Sequence, residues 1–331
     1  MTTPSENGPD RGPQPPLKSG GGLVAAIRRS VSYALPSRKA PAPEGGPAER
    51  DGVPPDAQAS ERRRGRVPTL HHMEKRVESG RFGYGTFWCV NRPGLGHASN
   101  EDGQFYDLDR GLFVSVDGIS SGGKGRPAAQ AFLKALEDHC GNPAKRGVAT
   151  HDLLADVVEE CAASRLERSG VNDEGGLVYA AVGFAGKRAD GVADANAYAQ
   201  GDVIAWAFRV TEDGRLAGIR KLTVPDRLEE TSSTVTNCVA PKWAGNFSCQ
   251  NMEVRPGEYV ALCSDGVSDT LDLETVSGIL ATGHRRKADG SWDDAAMEAA
   301  IRRVDAAVAG RMLATAYLEL GVRSKPRNDA A

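Results

Sequence analysis

The chain has no run approaching the roughly 20 apolar residues that cross a bilayer. Its first residues, "MTTPSENGPDRGPQPP", lack the basic segment followed by an apolar one that marks a secretory signal. Its six cysteines, Cys89, Cys140, Cys161, Cys238, Cys249 and Cys263, form no CxxC pair. That spacing argues against a structural zinc site and against a disulfide framework. The cysteines therefore read as reduced thiols, several in apolar surroundings, and the compartment as cytoplasmic. There is no histidine-rich ligand set and no internal repeat. What remains, 40% hydrophobic and 26% charged over 331 residues, is the profile of a soluble globular protein.

Two textures divide the chain. Residues 1 to about 80 hold 12 of the 19 prolines, and 13 basic residues against 9 acidic ones. Such a segment buries too little apolar surface to offset its ordering entropy, so residues 1–80 are expected to be a disordered tail. "LVAAIRRSVSYAL", Leu23 to Leu35, is an exception: its apolar residues can share one helical face, opposite Arg28 and Arg29. It reads as a transient helix or as a docking helix for a partner. "ERRRGR", 61 to 66, reads as solvated linker.

Residues 81–331 read as one domain. "TFWCV" (86–90), "GLFVSVDG" (111–118), "GGLVYAAVGFAG" (175–186) and "PGEYVALCSDG" (256–266) have strand character. "ANAYAQGDVIAWAFRV" reads as two strand runs bent at Gly201. Residues 126–140 and 151–170 read as helices, the second closed by Gly170. "DAAMEAAIRRVDAAVAGRMLATAYLELG" (294–321) reads as helix throughout, with a break near Gly310. Long helices grouped between blocks of strands indicate an α+β fold with antiparallel sheets, not a doubly wound parallel one.

Two of the apolar runs end the same way, in Asp117-Gly118 and in Asp265-Gly266. A carboxylate buried alone at a strand tip costs several kcal/mol or loses its charge. At the mouth of a cleft it can instead hold a hard cation, and Mg²⁺ and Mn²⁺ prefer oxygen ligands. The following glycine allows close backbone approach. More acids occur near these points: Glu101 and Asp102 in "SNED", Asp202 in "AQGD", and Asp269 four residues after Asp265. Each motif alone is ordinarily a turn.

Their joint order, "NED", "LFVSVDG", "GLVYAAV", "YAQGDVIAWAFR", "GEYVALCSDGVSD", resembles the metal-dependent protein serine/threonine phosphatases of type 2C (the PPM type) over about residues 85 to 329. "DGISSGGKG" departs from the commoner "DGMGG" and is similar to a "DGVSS" variant of bacterial members. The resemblance implies a sandwich of two antiparallel β-sheets flanked by α-helices, with a metal centre at one end. It implies that Asp117 bridges two Mn²⁺ or Mg²⁺ ions, with the Gly118 carbonyl on the second and Asp265 completing the first. Glu101 and Asp102 would act near the metals through water, and Asp202, Asp265 and Asp269 would form a third, more labile site. The implied activity is hydrolysis of phosphoserine and phosphothreonine in proteins by a metal-activated water at this dinuclear centre. The implied partners are a phosphoprotein substrate and, by analogy, a serine/threonine kinase. Neither nucleic acid nor a membrane span is expected, and a monomer is.

Two departures stand out. His97 occupies the position of the arginine that grips the substrate phosphate, and imidazole lacks the bidentate fork. The family's terminal acidic pair matches "RNDAA", which puts Asn328 and Asp329 on the metal position and leaves no closing strand after them. These departures favour an alternative, a phosphatase-fold regulatory or binding protein with weak or no turnover. A third reading rests on Asp107 and Asp109 of "YDLDRG", an arrangement similar to the paired aspartates of haloacid-dehalogenase-like hydrolases. No apolar strand precedes it, and it reads better as a polar turn.

Overall fold

The structure, a computed structural model, describes residues 64–67, 76–92, 100–119, 123–172, 175–229, 234–285, 287, 293–308 and 313–320. Two six-stranded antiparallel sheets face each other. Sheet one runs in the order β1 (Arg64–Val67), β4 (Gly103–Asp107), β5 (Leu112–Ile119), β6 (Gly176–Lys187), β7 (Ala193–Gln200), β10 (Ser248–Val254). Sheet two runs β2 (Arg76–Phe82), β3 (Gly85–Arg92), β12 (Leu313–Leu320), β11 (Glu258–Cys263), β8 (Ile204–Val210), β9 (Leu216–Lys221). Helices α1 (Gly125–Gly141) and α2 (Thr150–Glu160) pack on sheet one, and α2 runs on through a π turn at Cys161–Arg165 and a last turn at Leu166–Arg168. After it, Gly170 takes the left-handed conformation (φ 78°) expected of a closing glycine. The short α3 (Asp265–Ser268) follows β11, and α4 (Leu273–Ala281) and α5 (Asp294–Ala307) cover sheet two. This is the expected α+β sandwich.

The central strands are buried on both faces, so they read as continuous apolar runs. Side chains still alternate along a strand. In β5, Phe113 points into the layer between the sheets while Leu112, Val114 and Val116 point to the helices. In β6, Val178, Ala180 and Val182 point inward, and Leu177, Tyr179 and Ala181 outward. In β11, Val260 and Leu262 point inward, and Tyr259, Ala261 and Cys263 outward. The inner layer is rich in alanine and valine, which lets the sheets approach; the aromatic bulk of Trp88, Trp206, Phe208 and Tyr259 lies under α4 and α5.

Three expectations are corrected. "ERRRGR" is not all linker, because Arg64–Val67 pairs with β4 as the edge of sheet one. The boundary expected near residue 80 falls inside β2, which is the edge of sheet two, so both sheets begin earlier than the composition suggests. Residues 294–321 are not helical throughout: α5 ends at Ala307, and Leu313–Leu320 forms β12 between β3 and β11. This strand lies ahead of Asn328 and Asp329 in the chain. Leu, Ala and Glu gave "LATAYLEL" good helix propensity, but ladders to two neighbours outweigh propensity in a central strand. β10 exposes five of its seven residues and shows little apolar pattern. The Leu23–Leu35 segment lies outside the described residues.

Candidate active site

Strand alternation and register answer the question of the carboxylates at strand tips. Asp117 continues the inward row of Phe113 and Ser115, so it lies between the two sheets at their end. Gly103 pairs with Val116, which brings Asp102 alongside Asp117 one step further on. In sheet two Cys263 pairs with Ile204, and the same register continued carries Ser264 inward and sets Asp265 opposite Asp202. Asp202 sits where the chain crosses from β7 in sheet one to β8 in sheet two. That crossing requires Gly201: its φ is 92°, and a Cβ there would lie 2.0 Å from Val178, the residue paired with Asp117. Asp102, Asp117, Asp202 and Asp265 thus come together from both sheets.

Hydrogen bonds and close backbone packing hold them. Ser264 Oγ donates to Asp102 Oδ2 at 2.7 Å, tying the start of β4 to the end of β11. Asn100 Nδ2 donates to Asn91 Oδ1 at 2.6 Å, Asn100 Oδ1 accepts from the Asp102 backbone NH at 3.1 Å, and Asn91 Nδ2 donates to the Asp102 carbonyl at 3.2 Å. The Gly118 NH donates to the Glu101 carbonyl at 3.1 Å. Gly118 also abuts Gly125, the first residue of α1: a Cβ on either would lie 2.2 Å from the other's carbonyl oxygen. Its smallness serves the packing of β5 against the α1 N-terminus.

The electrostatics follow from burial and mutual repulsion. Burial, then the charge on Asp265, pushes Asp102 up to about 7. Asp117 is raised well above the ordinary carboxylate range by burial and then by Asp102, Asp265 and Asp202. Asp102 and Asp117 are close enough to share a proton. Burial and then Asp265 lift Asp202 to about 6, against the pull of Arg227. Arg227 Nη2 lies 3.1 Å from Asp202 Oδ2 and 2.8 Å from Asp269 Oδ1. Arg227 and Asp269 also line a cavity of about 840 Å³, with apolar walls from Ile204, Ile219, Val224, Pro225, Leu271 and Leu273 and charged groups at Lys221, Asp272 and Glu274.

Clustered acids with raised pKa values give a pH signature. An unfolded Asp loses its proton near 4. Asp202 and Asp102 keep theirs to about 6 and 7 in the folded chain. Across that interval the folded state binds more protons than the unfolded one, so stability falls as pH rises. With divalent ions chelated, the unfolding midpoint is expected to be roughly 6–12 °C lower at pH 8 than at pH 5, corresponding to about 3 kcal/mol. Asp102→Asn should flatten the difference. A metal-free chain equally stable at both pH values would show that these carboxylates do not repel one another.

Of the expected site residues, the structure brings Glu101, Asp102, Asp117, Gly118, Asp202, Asp265 and Asp269 to this end of the sandwich. His97, Asn328 and Asp329 lie outside the described residues. Asn328 and Asp329 both follow β12 in the chain, and the residues just ahead of β12, Ala309 to Met312, include no carboxylate. Arg92 is engaged with Asp305 Oδ1 at 2.5 Å and with the Val308 carbonyl at 3.1 Å. Asp107 Oδ1 accepts from the Asp109 and Arg110 NH groups, so "YDLDRG" is the polar turn between β4 and β5. Sequence reasoning missed Ser264, Asn91, Asn100 and Arg227. Arg227 lies 25 residues from Asp202 and 42 from Asp269 in an unremarkable loop sequence, with no signal to find it.

Among the described residues, no three His, Cys, Asp or Glu side chains form a group arranged to hold a metal ion. Asp102 is partnered by Ser264, and Asp202 and Asp269 by Arg227. The donor chemistry at Asp102, Asp117 and Asp265 nonetheless suits a hard divalent cation: all-oxygen, mutually repelling, and with Asp102 Oδ1 buried and without a hydrogen-bond donor.

No family model matches the chain, and no curated protein does. Solved structures do. PppA, described as a key regulatory component of T6SS in Pseudomonas aeruginosa, is 19% identical with a TM-score of 0.53, over 75% of this chain and 98% of that one. The catalytic domain of the serine threonine protein phosphatase PstP, solved with two manganese ions, is 17% identical with a TM-score of 0.54, over 74% and 98%. The PPM Ser-Thr phosphatase MsPP from Mycobacterium smegmatis, solved with cacodylate, is 16% identical with a TM-score of 0.51, over 77% and 100%.

Proposed function

We propose that this chain, which has the fold of the PPM-type serine/threonine phosphatases, hydrolyses phosphoserine and phosphothreonine in protein substrates. One observation carries the reading: Asp102, Asp117, Asp202 and Asp265 converge from both sheets at one end of the sandwich, where burial and the charge on Asp265 raise the proton affinity of the other three. Such a cluster is costly for stability, and buried, mutually perturbed carboxylates are a mark of functional sites. Asp117, Asp265 and Asp102 would hold two Mn²⁺ or Mg²⁺ ions, with Glu101 behind them. When bound, these ions supply a water acidic enough to attack phosphorus and neutralise the charge that develops there.

The chain's own residues do the rest. Asp117, central in the cluster, sets the acidic end of β5. Ser264 and the Asn91–Asn100 pair fix the orientation of Asp102. The Gly118–Gly125 contact sets the entry of α1 beside β5 and so the position of Arg126 in the first turn of that helix, where burial lowers its pKa. His97 remains the proposed phosphate contact, with Arg126 in the first turn of α1 as a further candidate cation. The apolar walls of the cavity lined by Arg227 and Asp269 suit the peptide around the phosphorylated residue. A partner kinase, monomeric state and cytoplasmic location complete the reading; the six free cysteines support a reducing compartment. Among the described residues, no helix is long and apolar enough to cross a membrane.

The test is phosphate release from an aryl phosphate and from a phosphothreonine peptide, with Mn²⁺ and with EDTA. Mn²⁺-dependent release supports the reading. The second reading, a regulatory protein with this fold, is favoured by the carboxylate-free segment ahead of β12 and by Arg227 on two of the expected ligands. Mn²⁺ binding without release would decide for it.

A further inference from the structure

One positive side chain occupies a place where the acids alone would attract a cation. Asp202 and Asp269 come from different elements, the crossing after β7 and the turn after α3, and both converge on one nitrogen, Arg227 Nη2. The Arg227 side chain is only 12% exposed, and its Nε is buried with no partner. An unsatisfied buried donor is a cost, tolerated here because the same group neutralises two carboxylates.

The backbone presents Arg227 rather than leaving it to find the site. Its neighbour Asp226 donates its NH to the Gly201 carbonyl at 2.7 Å and accepts from the Gly201 NH at 3.0 Å through Oδ2. That Oδ2 also accepts from Asn237 Nδ2 at 2.9 Å, and Arg227 itself bridges to Val235. The loop is thus stitched to the crossing that carries Asp202. A guanidinium cannot lose its charge, and its planar fork suits bridging carboxylates. With it, the Asp202–Asp269 pair carries one net negative charge; without it, two.

We propose that Arg227 is a built-in cation that takes the place of a divalent ion at the Asp202–Asp269 pair, so that the chain binds one ion fewer than its carboxylates would otherwise accept. The inference rests on the reading of this end of the sandwich as a metal centre. It differs from that reading in what it predicts, because its readout is ion count and not turnover.

The experiment is equilibrium dialysis of Mn²⁺ against the full chain at pH 7.5, with circular dichroism to confirm folding. Arg227→Gln is expected to bind one more ion per chain than the parent, and Arg227→Lys the parent's number. Adding Asp269→Asn to Arg227→Gln should remove the extra ion. Asp269→Asn in the parent background offers an arm that keeps the arginine: the ion count should not change. A folded Arg227→Gln chain with the parent's count, or a parent that loses an ion on Asp269→Asn, overturns the proposal. If the parent and every variant bind none, the metal-centre reading falls as well; if only Arg227→Gln binds an ion, this inference stands while the two-ion centre falls.

Discussion

Asp117→Asn is expected to do two opposite things: to cut phosphate release by on the order of 10²–10³ or more, and to stabilise the metal-free protein at pH 8. The first follows from its position. Asp117 is the buried acid whose proton affinity is raised by Asp102, Asp265 and Asp202 together, and so the one that most needs a cation beside it. The second follows from the same geometry with the sign reversed. An amide removes one of the mutually repelling charges, and its Nδ2 can donate to Asp102 Oδ1, which has no donor in the parent. A gain of about 1–2 kcal/mol, or roughly 2–8 °C in the unfolding midpoint, is the expected size. Mn²⁺ should raise the parent's midpoint more than the variant's. A merely structural Asp117 would give the opposite pattern: a less stable chain whose activity, if any, falls only with its folded fraction.

Gly118→Ala is expected to be among the most destabilising single substitutions in the described chain, at about 3 kcal/mol or more. The new methyl would lie 2.2 Å from the Gly125 carbonyl oxygen and 2.3 Å from its carbonyl carbon, against backbone that cannot turn aside. Either β5 or the N-terminus of α1 must move, and both border the acidic cluster, so activity should fall further than the folded fraction does. Gly125→Ala should behave alike, because its Cβ would lie 2.2 Å from the Gly118 oxygen. Gly218→Ala in β9 is the control: nothing lies within 4 Å of its added carbon, and the change should be near neutral. Thermal unfolding of the three variants decides it. A Gly118→Ala chain as stable as Gly218→Ala would mean that the close approach is not needed.

These two predictions sit on residues that the sequence made visible, Asp117 and Gly118, but for Gly118 the structure supplies a different physical reason. The "DG" step was readable as a close backbone approach; that it approaches the first residue of a helix followed only from three-dimensional packing. The same division runs through the molecule. Apolar runs, their glycine and aspartate ends and the grouping of helices were enough for an antiparallel α+β sandwich and for the six acids that gather at one end of it, because burial on both faces leaves a local, contiguous signature. Edge strands left no such signature. β1 is four residues of a basic stretch and β10 a largely exposed strand, each in place through pairing with one neighbour.

What the sequence alone determined, then, is the class of fold, the buried strands and the identity of the clustered acids, all properties of short windows. What only the tertiary structure decided are the pairings between distant windows. β12 is a strand because β3 and β11 flank it on both sides, against its own helix propensity. Asp102 is held by Ser264 across 162 positions. Arg227 neutralises Asp202 and Asp269 because a loop is stitched beside the crossing between the sheets. Hydrogen bonds and charges act over a few ångströms in space whatever the separation along the chain, so no local pattern records them.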